Sequence, residues 1–183
     1  MPEQTDEALL DLAGRDETAF MTLFERHREL IFRVAYRLTS STAAAEDITQ
    51  ECFLGLLNAR GRFDPAKGSL RTYLYGAARN LARKYHGLRD GEVDLEDTEI
   101  DEAAEPAQVF LQQEQSEVIR QAISTLPLQQ REALILFQYE ELPLDEIAAI
   151  LGIDIGAVKS RLHRARARLR RILTPYFEGS NAR

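Results

Sequence analysis

The chain has 183 residues, 44% of them hydrophobic and 29% charged, with a single cysteine and a formal net charge of −7. That length and mixture suit one or two small globular domains, and one cysteine excludes both an intrachain disulfide framework and a zinc site built on cysteine pairs. No apolar run reaches the roughly 18 residues that a membrane span needs, and the acidic start MPEQTDEALLDL has neither the basic region nor the apolar core of a signal peptide. The expectation is a cytoplasmic protein with no membrane insertion.

Residues 1–88 read as a compact helical domain. Phe20, Leu23, Phe24, Ile31, Val34, Ala35 and Leu38 recur at helical spacing, and Ser40, Ser41 and Thr42 then offer caps for a helix through Ile48, Cys52 and Leu56. Cys52 falls on the inward side and reads as a packing residue. On the same helix Asp47, Gln50, Glu51 and Leu54 lie at i, i+3, i+4 and i+7, so three polar groups and one leucine share a face that, taken alone, is merely solvated.

FDPAKGS, residues 63–69, reads as a loop, and Ser69 as the cap of a further helix whose apolar positions are Leu70, Leu74, Ala77, Leu81 and Tyr85. From Arg60 to Arg89 eight basic residues stand against Asp64 alone, interleaved with Phe63, Tyr73, Tyr75 and Tyr85. Arginines neutralise phosphates and aromatic rings stack on unpaired bases, a combination suited to single-stranded nucleic acid. For Tyr73 and Tyr85, a place in the core and a place on that surface stand equal. No strand pattern competes with the helical one.

Residues 90–105, DGEVDLEDTEIDEAAE, carry nine acids and no base, while the stretches before and after each sum to +1. This segment accounts for the acidity of the whole chain. It has no aromatic residue and no core-forming period, and its like charges repel, so residues 89–109 read as an extended linker. The ligand spacing and sixth-position glycine of a calcium-binding loop are missing, so calcium is not expected there.

A second helical domain, residues 110–176, ends in a short tail over 177–183. LDEIAAIL, residues 144–151, reads as a short helix, and Gly152, Ile153 and Asp154 form a turn into the helix DIGAVKSRLHRARARLRRIL, residues 154–173. The turn needs a residue that tolerates positive φ, which Gly152 supplies; Ala148 lets the second helix cross closely at Val158; Asp154 suits an N-cap. The second helix holds seven Lys or Arg against one acid. Val158, Leu162, Ala165, Leu169 and Ile172 form its packing stripe, and Ser160, His163, Arg164, Ala167 and Arg171 point away from it. This is a helix-turn-helix pattern, in which the second helix enters the major groove and presents a polar, basic face.

In this order AEDITQECFLGLL, FDPAKGSLRTYLYGAARNLARKY, an acidic linker and LPLQQREALILFQYEELPLDEIAAILGIDIGAVKSRLHRARARL resemble an extracytoplasmic-function sigma factor of the sigma-70 superfamily, over about residues 5–88 and 110–175. The resemblance implies an all-α fold of two small helical domains. It implies a subunit that gives bacterial core RNA polymerase its promoter specificity and helps to open the duplex, with no catalysis of its own.

On that resemblance Asp47, Gln50, Glu51 and Leu54, with Phe53 supporting them, would bind core polymerase. Phe63, Lys67, Ser69, Arg71, Tyr73, Arg79, Asn80 and Arg83 would hold the non-template strand of the minus-10 element and a flipped base, whose lost stacking a pocket must offset. Lys159, Ser160, Arg161, His163 and Arg164 would read the minus-35 duplex, with Arg166, Arg170 and Arg171 on phosphates. Arg161 and Arg168 lie toward the flanks, where an ion pair with a neighbouring helix is an alternative. An anti-sigma factor is an implied partner. The linker would thread the polymerase and imitate nucleic acid in basic channels, or serve as a tether; the two stand equal.

The chain departs from the family's usual pattern at several positions. Tyr73 stands where many members have tryptophan, Lys84 replaces a common aspartate, and His86-Gly87 replaces an arginine pair. Pro143 and Leu144 occupy the usual small polar cap, and Asp154 replaces a common proline. The competing reading is a stand-alone helix-turn-helix regulator with an N-terminal sensing or dimerisation domain, although no effector site is visible. An enzyme is not expected: His27, His86 and His163 are isolated, and no Gly-rich phosphate loop or metal-spaced cluster occurs, so no catalytic residue, metal or cofactor is assigned.

Overall fold

The computed structural model describes residues 4–58, 63–87 and 114–178, all helix and turn with no strand among them. Arg60, Arg62, Arg89, the linker 89–109 and residues 179–183 lie outside the described residues. The chain divides into two compact units at residues 90/91.

In the first unit α1 (Asp6–Leu12) begins at Thr5, whose hydroxyl accepts from the Ala8 amide. This element is pinned by its own first residue: Asp6 pairs with Arg26 at 2.5 Å and with His27 Nε2 at 2.8 Å. Helix α2 (Glu17–Thr39) starts under the Asp16 carboxylate and ends at Ser40 in the left-handed region, φ 55°. Ser41 Oγ accepts from the Ala44 amide and so caps α3 (Thr42–Asn58), fulfilling the cap expected in this stretch. Leu23, Ile31, Val34, Ala35 and Leu38 of α2 are buried with Ala45, Ile48, Cys52 and Leu56 of α3. Phe53 seats its ring at 4.9 Å from that of Phe24 and 6.4 Å from that of Phe20, an aromatic knot between the two helices.

The loop before α4 contains one 3-10 turn, Pro65–Lys67, capped by Asp64, whose carboxylate accepts from the Ala66 amide at 3.0 Å. Gly68 follows at φ 146°, a conformation that favours glycine. Ser69 Oγ then caps α4 (Leu70–Tyr85) by accepting from the Thr72 amide.

The buried stripe of α4 is not the expected one. Leu70 and Leu74 are buried, but Tyr75, Ala78, Ala82 and Arg83 complete the inward face, while Ala77 and Leu81 are half-buried and Tyr85 is 54% exposed. The helix packs against both α2 and α3, so its buried arc is broad and turned toward the small alanines. At its end His86 Nε2 donates to the Leu38 carbonyl at 3.0 Å, and Gly87 takes φ 77°. The residues that replace the usual arginine pair therefore fasten the end of α4 to the end of α2.

The second unit holds α5 (Glu114–Ser124), α6 (Leu128–Gln138), α7 (Leu144–Leu151) and α8 (Ile155–Glu178). Between α5 and α6 the buried Arg131 guanidinium donates to the carbonyls of Ser124 and Leu126, satisfying orphan acceptors of the turn. Ile123, Leu126, Leu134 and Ala165 form a core against which Ile119 and Leu169 pack. Pro143 occupies the N-cap of α7 without a side-chain hydrogen bond.

Gly152 adopts φ 66°, and the Ile153 amide donates to the Ala148 carbonyl across it, closing α7 with the geometry that the sequence demanded of this turn. Asp154 Oδ1 accepts from the Ala157 amide at 2.9 Å, so α8 starts where its cap was expected. The helix runs past Leu173 and through Pro175 to Glu178.

Candidate nucleic-acid interfaces

Three surfaces follow from this framework. On α3, Asp47, Gln50, Glu51 and Leu54 are all exposed, and Leu54 is 58% accessible although its neighbours along the helix, Cys52 and Phe53, are buried. Phe53, grouped with them by resemblance, is only 2% exposed. Its ring lies beneath them, fixing α3 on α2 against Phe20 and Phe24. The Cys52 thiol beside it is pushed up to about 12 by burial and by the negative charge of Glu51. At neutral pH this is a protonated, inert packing group, as its position in the sequence implied.

On the 63–85 stretch, Phe63 and Tyr73 are half-buried and meet edge to face with centroids 5.7 Å apart. Lys67 is exposed and 3.6 Å from Asp64. Arg71 is half-buried, donates through Nε to the Tyr75 hydroxyl at 3.0 Å, and lies 5.4 Å from that ring's centroid. Arg79 is half-buried and donates to the Asn80 amide oxygen, while Asn80, Lys84 and Tyr85 are exposed. Tyr75, which composition placed among the surface aromatics, is fully buried.

Arg83 is a correction. It is 4% exposed, so its guanidinium cannot lie along a strand outside this unit. The arc that buries Ala78 and Ala82 carries Arg83 in with them. What remains is a surface of Phe63, Lys67, Ser69, Tyr73 and Asn80, with Arg71 and Arg79 half-buried beside them and Tyr85 exposed at its far end.

On α8 the division of faces matches the periodicity. Val158, Leu162 and Ala165 are buried and Leu169 and Ile172 half-buried; Lys159, Ser160, His163, Arg164, Arg166, Ala167, Arg170 and Arg171 are exposed. Arg161 and Arg168 are half-buried at the flanks. Arg166 stacks over the Phe137 ring of α6 at 5.1 Å, which holds one cation in place above an apolar wall. Lys159, His163, Arg166 and Arg170 border a groove of about 560 Å³ floored by Phe137, Leu144 and Leu162. Small Ser160 and Ala167 stand exposed among these cations on the outward face.

The histidines have separate duties. His27 holds Asp6, His86 holds the Leu38 carbonyl, and His163 is exposed on α8. Among the described residues no group of three or more His, Cys, Asp or Glu side chains is placed to hold a metal ion, and no helix is long and apolar enough to cross a membrane.

Two helical units, one with a basic helix carrying aromatic residues and one with a helix-turn-helix, define an all-α protein of two parts with the features of a nucleic-acid binder. Residues 23–90 match the family model of Sigma-70 region 2 and residues 116–169 that of Sigma-70, region 4. The chain is 31% identical to the ECF RNA polymerase sigma factor SigE of Mycolicibacterium smegmatis, over 95% of this chain and 70% of that protein. It is 31% identical to the ECF RNA polymerase sigma factor SigW of Bacillus subtilis, over 86% of this chain and 90% of that one. The solved structure of the sigma factor RpoE in complex with the anti-sigma factor NepR from Bartonella quintana superposes with a TM-score of 0.63 at 28% identity, covering 85% of this chain and 96% of that one. The chain belongs to the extracytoplasmic-function sigma factors of RNA polymerase. The stand-alone regulator reading gives way to this assignment.

Proposed function

We propose that this chain engages core RNA polymerase through the exposed α3 face of Asp47, Gln50, Glu51 and Leu54. The non-template strand of the minus-10 element is held against Phe63, Lys67, Ser69, Tyr73, Asn80 and Tyr85, with Arg71 and Arg79 beside them. The minus-35 duplex is read with α8: Lys159, Ser160, His163 and Arg164 face base edges, and Arg166, Arg170 and Arg171 face phosphates, with Arg161 at the edge of the contact. The domains on this reading are residues 1–88 and 110–176, joined by the acidic linker. The protein acts in the cytoplasm, supplies binding energy rather than catalysis, and is held by an anti-sigma factor when idle.

The observation that carries this reading is the clean partition of α8, apolar side chains inward and cations outward, directly behind a glycine-closed helix-turn-helix. The experiment is reconstitution. The purified chain, mixed with sigma-free bacterial core polymerase and promoter DNA, is expected to give specific initiation. No gain in transcription over core alone, together with tight operator binding by the isolated chain, would overturn it.

A further inference from the structure

Ile155 is the first residue of α8, directly after the Asp154 cap, and it is 42% exposed. The buried positions of α8 are Val158, Leu162 and Ala165, and Ile155 is not among them. Gly156 follows, and a Cβ there would stand 2.9 Å from Asp154 Oδ1, the oxygen that caps Ala157. Any larger residue at 156 would crowd that cap, so the residue next to Ile155 carries no side chain. One turn on, Lys159 lies at i+4 on the same side of the helix, and His163 lies one turn further.

In a helix-turn-helix the N-terminal residues of the second helix meet base edges. The major-groove edge of thymine is marked by its C5-methyl group, which an apolar side chain recognises by contact rather than by hydrogen bonding. We infer that Ile155 is a specificity-determining residue of α8 that packs on a thymine methyl group in the minus-35 duplex, next to the base or phosphate engaged by Lys159. Burying both apolar groups removes Ile155 from water only when the correct base is present, so the contact selects thymine over cytosine at that pair. The inference rests on the proposed role of α8 as reader of the minus-35 element.

The test uses holoenzyme assembled from the full chain and core polymerase, with a promoter duplex selected by that holoenzyme from a randomised pool. Each thymine of the minus-35 element, on either strand, is replaced singly by deoxyuridine, which lacks only the methyl group. Wild-type affinity is expected to fall about fourfold at one position, the worth of one buried methyl group. Ile155→Ala is expected to bind the thymine duplex as weakly as wild type binds the uracil duplex and to lose nothing more on substitution; Ile155→Val keeps most of the discrimination. Uniform tolerance of uracil by wild type, full methyl sensitivity in Ile155→Ala, or an element selected without thymine overturns the inference while leaving the reading of α8 intact. Failure to select any minus-35 element overturns both.

Discussion

Arg83 and Asn80 sit three residues apart on α4 and have opposite fates, because the helix buries one and exposes the other. Arg83 packs into the inward face of α4 with Ala78 and Ala82, so removing its side chain opens a void there. Arg83→Ala is expected to cost about 2–4 kcal/mol in urea unfolding of the full chain, whereas Asn80→Ala stays within about 0.5 kcal/mol and instead slows open-complex formation. An unchanged midpoint for Arg83→Ala would return that residue to the DNA surface. Cys52 gives a second residue-scale prediction. Its folded thiol is raised to about 12 from an ordinary value of 9.0, so between these limits the unfolded chain gives up a proton that the folded chain retains. Stability from this group is intact below pH 9 and declines as pH rises toward 12. Cys52→Ala is expected to flatten the alkaline limb of stability against pH, and native Cys52 should resist alkylation at pH 8 until denaturant is added. Rapid labelling of the folded protein would contradict its burial.

At the scale of elements, the two proposed docking faces should be separable because they lie on helices of different units. Leu54 contributes nothing to the core of the first unit, so Leu54→Arg is expected to unfold within about 0.5 kcal/mol of wild type while core-polymerase affinity drops about tenfold or more. Arg164→Ala is expected to do the reverse, weakening minus-35 duplex binding by about five- to tenfold with core binding intact. Loss of both activities in either variant would contradict the division. These elements differ in how plainly the sequence announces them. In α8 the large Val158, Leu162, Leu169 and Ile172 mark one stripe against a basic background, and Gly152 and Asp154 mark the turn, so its inward and outward faces and its cap were legible. In α4 the inward face is built from Ala78 and Ala82 around a single tyrosine, and alanine carries no directional signal. Leu81 and Tyr85 therefore drew the expected stripe too far round, and Arg83 was taken for a surface cation. Helix α1 has seven residues, two turns at most, too few for a period to emerge; its place depends on the contact of Asp6 with Arg26 and His27 some twenty residues away. The 3-10 turn at Pro65–Lys67 was hidden for a related reason, since one turn capped by Asp64 reads in sequence as any Asp-Pro loop.

For the whole molecule the governing quantity is where the charge lies rather than its total. Residues 1–89 and 106–183 are each nearly neutral, yet residues 90–105 hold nine acids, in the same chain as the helix proposed to approach phosphates. Binding to free duplex gains from counterions released by the α8 cations and loses from the repulsion of that acidic stretch, which acts over a Debye length of about 8 Å at physiological salt. The chain alone should therefore bind promoter duplex weakly. Replacing the nine acids of 90–105 by Asn and Gln is expected to raise the affinity of the isolated chain for minus-35 duplex by about tenfold or more in 50 mM salt, with the gain shrinking toward none at 0.5 M, as screening requires. The same variant distinguishes the two roles open to the linker. If its acids lie in basic channels of the polymerase, neutralising them weakens core binding in proportion to the charges removed, and that loss too fades with salt. If the segment is only a tether, core affinity is unchanged and the whole effect falls on the isolated chain. An acid-neutralised chain that binds naked duplex no better than wild type at low salt would show that α8 never feels the linker's charge, and the weak binding of the isolated chain would then have to come from α8 itself.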